Sequence, residues 1–335
     1  MTAPTVRRAL SVVAVAALTL PLAACSALSS SSDSSDTSAP ADAEGALSVA
    51  VSFYPIQYLT EAIGGDYVSV TSVTPTNTEP HDYELSPKDV TALSSSQLVA
   101  YVQGFQPSLD DAISQVSGPT VLDLASSIDL VHHEDSEEHE DGEETDGATA
   151  EATDEGHDHG ADSAEALDPH FWLDPVRMKS AATAIEEALA TADPNHASSY
   201  KNNLDTLDAS LDDLDTSYSQ SLGSCERTTF VTSHSAFGYL ADRYGLTQAS
   251  ISGIEPEAEP SLAEIADIKE VVQSTGTTTI FTEELVSPET AETIANETGA
   301  TTAVLNPIES QPESSDYAEA MRTNLGELRT ALSCK

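Results

Sequence analysis

The chain has 335 residues, with 12 Lys and Arg against 57 Asp and Glu, a formal net charge of -45. A surface this acidic excludes nucleic acid as a partner and draws cations toward the protein. The length allows two lobes of ordinary size.

Residues 1–24 read as a targeting segment: Arg7 and Arg8 supply the positive end, and 9–20 is an apolar run too short to span a bilayer comfortably. Leu22-Ala23-Ala24-Cys25 resembles a bacterial lipobox, whose Cys is acylated and becomes the mature N-terminus, anchored in the membrane. Residues 25–45 are mostly Ser, Asp, Ala and Thr, with little to bury, and read as a flexible tether.

The folded part opens with alternation at Leu47, Val49, Val51 and Phe53, a strand ended by Pro55. A helix over 57–63 stops at Gly64-Gly65, and a strand over 67–74 follows. Ser86 caps and Pro87 opens the next helix. Strands follow at 98–102 and 121–124. Strands alternating with helices imply a parallel sheet. Residues 132–166 break the pattern. His132, His133, His139, His157 and His159 lie there among Asp and Glu with no apolar period, which reads as a disordered loop capable of weak metal capture.

Asp168-Pro169-His170-Phe171-Trp172-Leu173-Asp174-Pro175 is a rigid elbow, two Asp-Pro pairs presenting His170 just before a helix over 176–190. After Asp193-Pro194 a second helix runs to about residue 221, with Tyr200, Leu204, Leu207, Leu211, Leu214 and Tyr218 at three- and four-residue steps. At ~1.5 Å per residue it is about 40 Å long, enough to run along two lobes.

The second half repeats the logic of the first: strands at 228–232, 277–282 and 301–305, a helix opening at Ser233-His234-Ser235, another at Ser287-Pro288, and a last amphipathic helix through Tyr317, Met321, Leu325, Leu328 and Leu332. Cys225 and Cys334 sit in a chain bound for a disulfide-permissive compartment, so a bridge is expected, with free thiols or a metal pair as alternatives.

His81, His234 and Glu309 each fall just past the carboxyl end of a predicted strand, where open parallel sheets bind ligands, and His170 sits at the elbow between the lobes. Three imidazoles and one carboxylate form a tetrahedral set that suits zinc, whereas manganese prefers more oxygen. Glu283, which also ends a strand, and Glu79, close to His81, compete with Glu309 for the fourth position.

Four stretches carry a resemblance to a known family: Pro80-His81-Asp82-Tyr83-Glu84-Leu85-Ser86-Pro87, the 168–175 elbow, Ser233-His234-Ser235-Ala236-Phe237-Gly238-Tyr239-Leu240, and Leu305-Asn306-Pro307-Ile308-Glu309. Together they resemble the zinc/manganese solute-binding lipoproteins of metal ABC importers, over nearly all the chain after the tether. The resemblance implies two similar α/β lobes with parallel sheets, 46–174 and 223–335, joined through 175–222 by one long helix, with the metal in the interlobe cleft. It implies His81, His170 and His234 as ligands, as in zinc members, where manganese members commonly have Glu in place of His234. An Asp common in the family is Asn306 here, so that ligand does not carry over, and Glu309 matches the zinc members with a Glu three residues on.

The implied function is capture of Zn2+, the transported ligand, for an ABC permease. The protein would be a lipid-anchored monomer on the extracellular face of the bacterial cytoplasmic membrane. The alternatives are a manganese-binding homologue, a zinc hydrolase and a surface adhesin. The hydrolase lacks support from any His-Glu-x-x-His motif, and four ligands leave no open position for water. No stalk or repeat argues for an adhesin.

Overall fold

The computed structural model describes residues 45–132 and 167–335, within one compact unit, Asp42–Lys335. The targeting segment, Cys25, the tether up to residue 44, and His133, His139, His157 and His159 lie outside the described residues; His132 is exposed at their border.

The first lobe holds β1 (Leu47–Val51), β2 (Val68–Ser72), β3 (Leu98–Tyr101) and β4 (Thr120–Asp123). All pairings are parallel, in the order β2-β1-β3-β4. Helices α1 (Tyr54–Gly64), α2 (Pro87–Ser95) and α3 (Pro107–Gln115) make the crossovers. Two helices follow the elbow, α4 (Pro175–Ala192) and α5 (Ala197–Leu222). The second lobe holds β5 (Thr229–Thr232), β6 (Thr247–Ser250), β7 (Thr279–Thr282) and β8 (Thr301–Val304), with α6 (Gly238–Tyr244), α7 (Leu262–Thr275) and α8 (Glu289–Thr298). Its order, β6-β5-β7-β8, repeats that of the first sheet. α9 (Tyr317–Leu332) ends the chain. In each sheet the first strand is interior, and the chain leaves it to one side before crossing to the other. The switch points therefore lie between β1 and β3 and between β5 and β7.

The two-lobe, parallel-sheet expectation holds, with local differences. Pro55 does not merely end a strand; it stands in the first turn of α1, where its missing N–H costs nothing. The helix expected to open at Ser233-His234-Ser235 begins only at Gly238. The backbone N–H of His234 goes to Glu283 and that of Ser235 to the Gly253 carbonyl, so this turn satisfies itself outside a helix. α3, β6 and α7 were not anticipated. β6 is a short polar edge strand, Thr-Gln-Ala-Ser, ordered by its register with β5 rather than by an apolar pattern. α7 announces itself through a capping box, Ser261 with Glu264, that the apolar spacing alone understates.

The lobes are joined by more than one long helix. α5 has 26 residues and buries Tyr200, Leu204, Leu207, Leu211, Leu214, Tyr218 and Leu222. That face packs against α4, α1 and α9. One continuous core takes in Val49 and Leu98 from the first sheet, Leu211 and Tyr218 from α5, and Phe230 and Leu305 from the second lobe. A shared core cannot shear without exposing apolar surface, at about 25 cal/mol per Å2, so it holds the lobes at one angle. α9 is tied back by the Tyr218 hydroxyl donating to the Met321 carbonyl at 2.6 Å and by a Cys225–Cys334 disulfide. Among the described residues, no helix is long and apolar enough to cross a membrane.

Candidate metal centre

Four loops deliver the site. His81 lies between β2 and α2, His170 at the elbow before α4, His234 just past β5, and Glu309 past β8. All four side chains are buried, and their donor atoms lie within 4.8 Å of one another.

Five of the donor–donor distances lie close to the edge length of a tetrahedral zinc site. His170 Nε2 is 3.2 Å from His81 Nε2 and 3.4 Å from His234 Nε2. Glu309 Oε1 is 3.4 Å from His81 Nε2, 3.4 Å from His170 Nε2 and 3.6 Å from His234 Nε2. Bonds of ~2.0–2.1 Å to a central zinc ion require ligand–ligand edges of about 3.3–3.4 Å. Glu309 Oε1 makes no hydrogen bond of ordinary geometry, so this buried oxygen is aimed at the centre of the cluster rather than at a donor.

Carboxylates behind the ring set the imidazoles. His170 Nδ1 donates to Asp168 Oδ1 at 2.7 Å, and the same oxygen accepts the His170 backbone N–H at 2.9 Å. His234 Nδ1 donates to Glu283 Oε1 at 2.7 Å, and that oxygen accepts the His234 N–H at 3.2 Å. A carboxylate only accepts, so the proton of the neutral ring sits on Nδ1 and the Nε2 lone pair faces the cluster. Burial alone would lower both histidine pKa values. The charges of Asp168 and Glu283 override it, raising His170 and pushing His234 up to about 10. Burial would likewise raise Glu309, but its contacts with His170, His234 and His81 hold it well below the usual carboxylate range. The site thus favours negative charge on its oxygens and competes for positive charge, protons or a metal dication alike.

The competing carboxylates point elsewhere. Glu283 is engaged on the far side of the His234 ring, and Glu79 accepts the backbone N–H groups of His81 and Asp82 at 3.1 and 3.3 Å, bracing their loop. Asp168 was not singled out from sequence; its position two residues before His170, in an Asp-Pro-His turn, was the available signal. Gln106 was missed too. It is buried past β3, and its amide donates to Thr74 Oγ1 at 2.9 Å and to the Pro80 carbonyl at 3.0 Å, fixing the His81 loop. Nothing near it in sequence could have given that away.

The Glu309 loop is held by polar contacts. Ile308 has φ +60°, a strained conformation for a β-branched residue. Asn306 Oδ1 accepts its N–H at 2.6 Å, while Asn306 exchanges two hydrogen bonds with Asn324 of α9. The Trp172 indole donates to the Pro307 carbonyl at 2.7 Å, joining the elbow to this loop. Asn306 is therefore the residue that shapes the turn presenting Glu309. Phe105 stands edge-on to His81 at 4.6 Å and Trp172 lies 5.0 Å from His170, an aromatic wall around the four donors.

Residues 49–331 match the family described as zinc-uptake complex component A, periplasmic. The chain belongs to that family. It is 33% identical to the high-affinity zinc uptake system protein ZnuA of Bacillus subtilis, over 94% of this chain and 97% of that protein. It is 35% identical to the zinc-binding protein AdcA of Streptococcus pyogenes, over 86% of this chain but 56% of that protein, so it spans about half the length of the AdcA relatives it matches. Its fold is similar to the crystal structure of the laminin-binding protein Lbp of Streptococcus pyogenes, with a TM-score of 0.71 at 31% identity, covering 85% of this chain and 99% of that one.

Proposed function

We propose that this protein captures Zn2+ outside the cytoplasmic membrane and hands it to the permease of an ABC importer. The observation that carries the reading is the convergence of three Nε2 atoms and one carboxylate oxygen, with five donor–donor edges of 3.2–3.6 Å. His81, His170, His234 and Glu309 are the ligands in this reading, and zinc is cargo. A closed set of four protein donors leaves no position for an attacking water, so the protein is a carrier and not a hydrolase. The repeated sheet order supports the division into lobes at 46–174 and 223–335 with 175–222 between them. The lipobox-like Leu22-Ala23-Ala24-Cys25 supports lipid anchoring on the extracellular face of the membrane.

The test is metal content, stoichiometry and melting of the purified soluble domain, without its targeting segment, loaded with zinc or manganese. One zinc per chain is expected, with a much larger shift in melting temperature for zinc than for manganese. Binding at 100 times Kd stabilises by about 2.7 kcal/mol. A larger shift with manganese would reverse the assignment.

A further inference from the structure

Two of the three histidines have a carboxylate close behind the ring, and both partners are buried with them. The third pairing is different. His81 Nδ1 faces Glu255 Oε2 at 3.7 Å, and while the His81 side chain is 1% exposed, that of Glu255 is 62% exposed. Glu255 also comes from the opposite lobe. It lies in the loop between β6 and α7, whereas His81 lies between β2 and α2. The Glu255 loop is tethered to the turn of His234: the Ser252 N–H donates to the Ser233 carbonyl at 2.8 Å, and the Ser235 N–H to the Gly253 carbonyl at 3.0 Å. One loop thus spans from the turn of a second-lobe histidine to the ring of a first-lobe histidine.

A second exposed contact between loops of opposite lobes is the Asn77 N–H donating to Ser310 Oγ at 2.7 Å. Elsewhere the lobes meet through the shared apolar core, and Arg243 pairs with Asp215 at 2.7 Å and Asp174 at 3.3 Å.

We propose that Glu255 is a positioning residue for His81, a latch that closes from the second lobe onto the first when zinc is held. The proposal rests on the zinc-binding reading above. A metal on Nε2 leaves the ring proton on Nδ1, which then needs an acceptor, as Asp168 and Glu283 supply for the other two rings. At 3.7 Å Glu255 stands just outside hydrogen-bond distance, and a rotamer change of an exposed side chain closes the gap. Asp168 and Glu283 are built in; Glu255 alone can come and go, so it acts on how long zinc stays.

The test is zinc release from the loaded soluble domain into excess chelator, followed by stopped flow at low and high salt, with melting of the metal-free and loaded forms. Glu255→Ala should release zinc about 3- to 10-fold faster, below the 10- to 100-fold typical of fully enclosed partners. Glu255→Gln, which keeps an acceptor oxygen, should fall between it and the wild type. Glu257→Ala, the same charge change at an exposed position of the same loop, should release at the wild-type rate. The Glu255→Ala effect should shrink at high salt, and metal-free melting should not change. Release from Glu255→Ala at the wild-type rate overturns the proposal. So does an equal effect of Glu257→Ala, which would mean bulk charge, or an equal loss of melting temperature in the metal-free form, which would mean loop folding. If the wild type itself holds no zinc, the functional reading has failed rather than the latch alone.

Discussion

Glu283 accepts both the backbone N–H and the ring Nδ1–H of His234, with Oε1 at 3.2 and 2.7 Å. The two residues follow β5 and β7, the strands that flank the switch point of the second sheet. In the first lobe Asp168 grips His170 in the same two-point way. Each grip fixes the tautomer and the direction of the ring.

This separates Glu283 from the four converging donors and predicts a graded series. Glu283→Ala should keep one zinc per chain and weaken affinity by about 10- to 100-fold, because the His234 ring loses its hold. His81→Ala, His170→Ala and His234→Ala should each weaken it more, and Glu309→Ala less than these, since water can fill that corner. Competition against a chelator of known affinity ranks the variants. Glu283→Ala weaker than every histidine variant would make Glu283 a ligand.

The pH dependence has opposite signs without and with metal. His170 and His234 are raised in the folded, metal-free protein, so their contribution to stability is complete below about 6.5 and is lost as pH climbs through the folded values, about 10 for His234. Glu309 is depressed, so its contribution is present above its ordinary value of 4.5 and is lost as pH falls through the folded one. Zinc needs free Nε2 lone pairs and must displace the histidine protons. The melting increment produced by saturating zinc should therefore grow from pH 6 to pH 9. Calorimetry of metal-free and loaded protein reads it directly, and an increment that is flat or shrinks with pH contradicts the site.

The insertion at 132–166 leaves and returns at one neck. The Asp168 N–H donates to the Val131 carbonyl at 2.9 Å, and the Tyr239 hydroxyl accepts from the Val131 N–H at 2.9 Å and donates to the Asp168 carbonyl at 2.7 Å. Replacing 133–166 by a short Gly-Ser linker should leave the fold and the single tight site in place while removing weak zinc binding. Calorimetric titration separates the two classes, and loss of the tight site would mean that the insertion supplies a primary ligand.

The Cys225–Cys334 bridge closes a loop with a sequence separation of 109. In the chain-entropy view a loop of that order contributes about 4–5 kcal/mol. Backbone bonds from Glu226 and Arg227 to the Leu332 carbonyl already hold the same ends together. Cys225→Ser with Cys334→Ser should cost about 2–5 kcal/mol, and because those native bonds keep the ends in place it should leave zinc affinity unchanged. Urea unfolding with and without zinc measures both, and a comparable loss of affinity would show that the bridge reaches the cleft.

Much of this molecule is local and was therefore legible. The capped starts of α2 and α4 depend on Ser86, Pro87, Asp174 and Pro175, whose preferences act within one turn. The apolar stripe of α5 and the strand-end positions of His81, His234 and Glu309 are matters of spacing along the chain. Those patterns determined two parallel-sheet lobes, a long connecting helix and the four residues to examine. Other features depended on contacts between distant segments. Whether Glu309 or Glu283 faces the centre depends on which side of a histidine ring each carboxylate meets, and those rings come from distant segments of the chain, whereas Glu79 braces its own loop. The roles of Gln106, Asn306 and Asn324 are invisible locally because each acts by hydrogen bonding to a distant backbone segment or by shaping a turn held from α9. The order of β6 and the late start of α6 were likewise settled across the sheet, where pairing with β5 and the bonds to Glu283 and Gly253 outweigh local propensity.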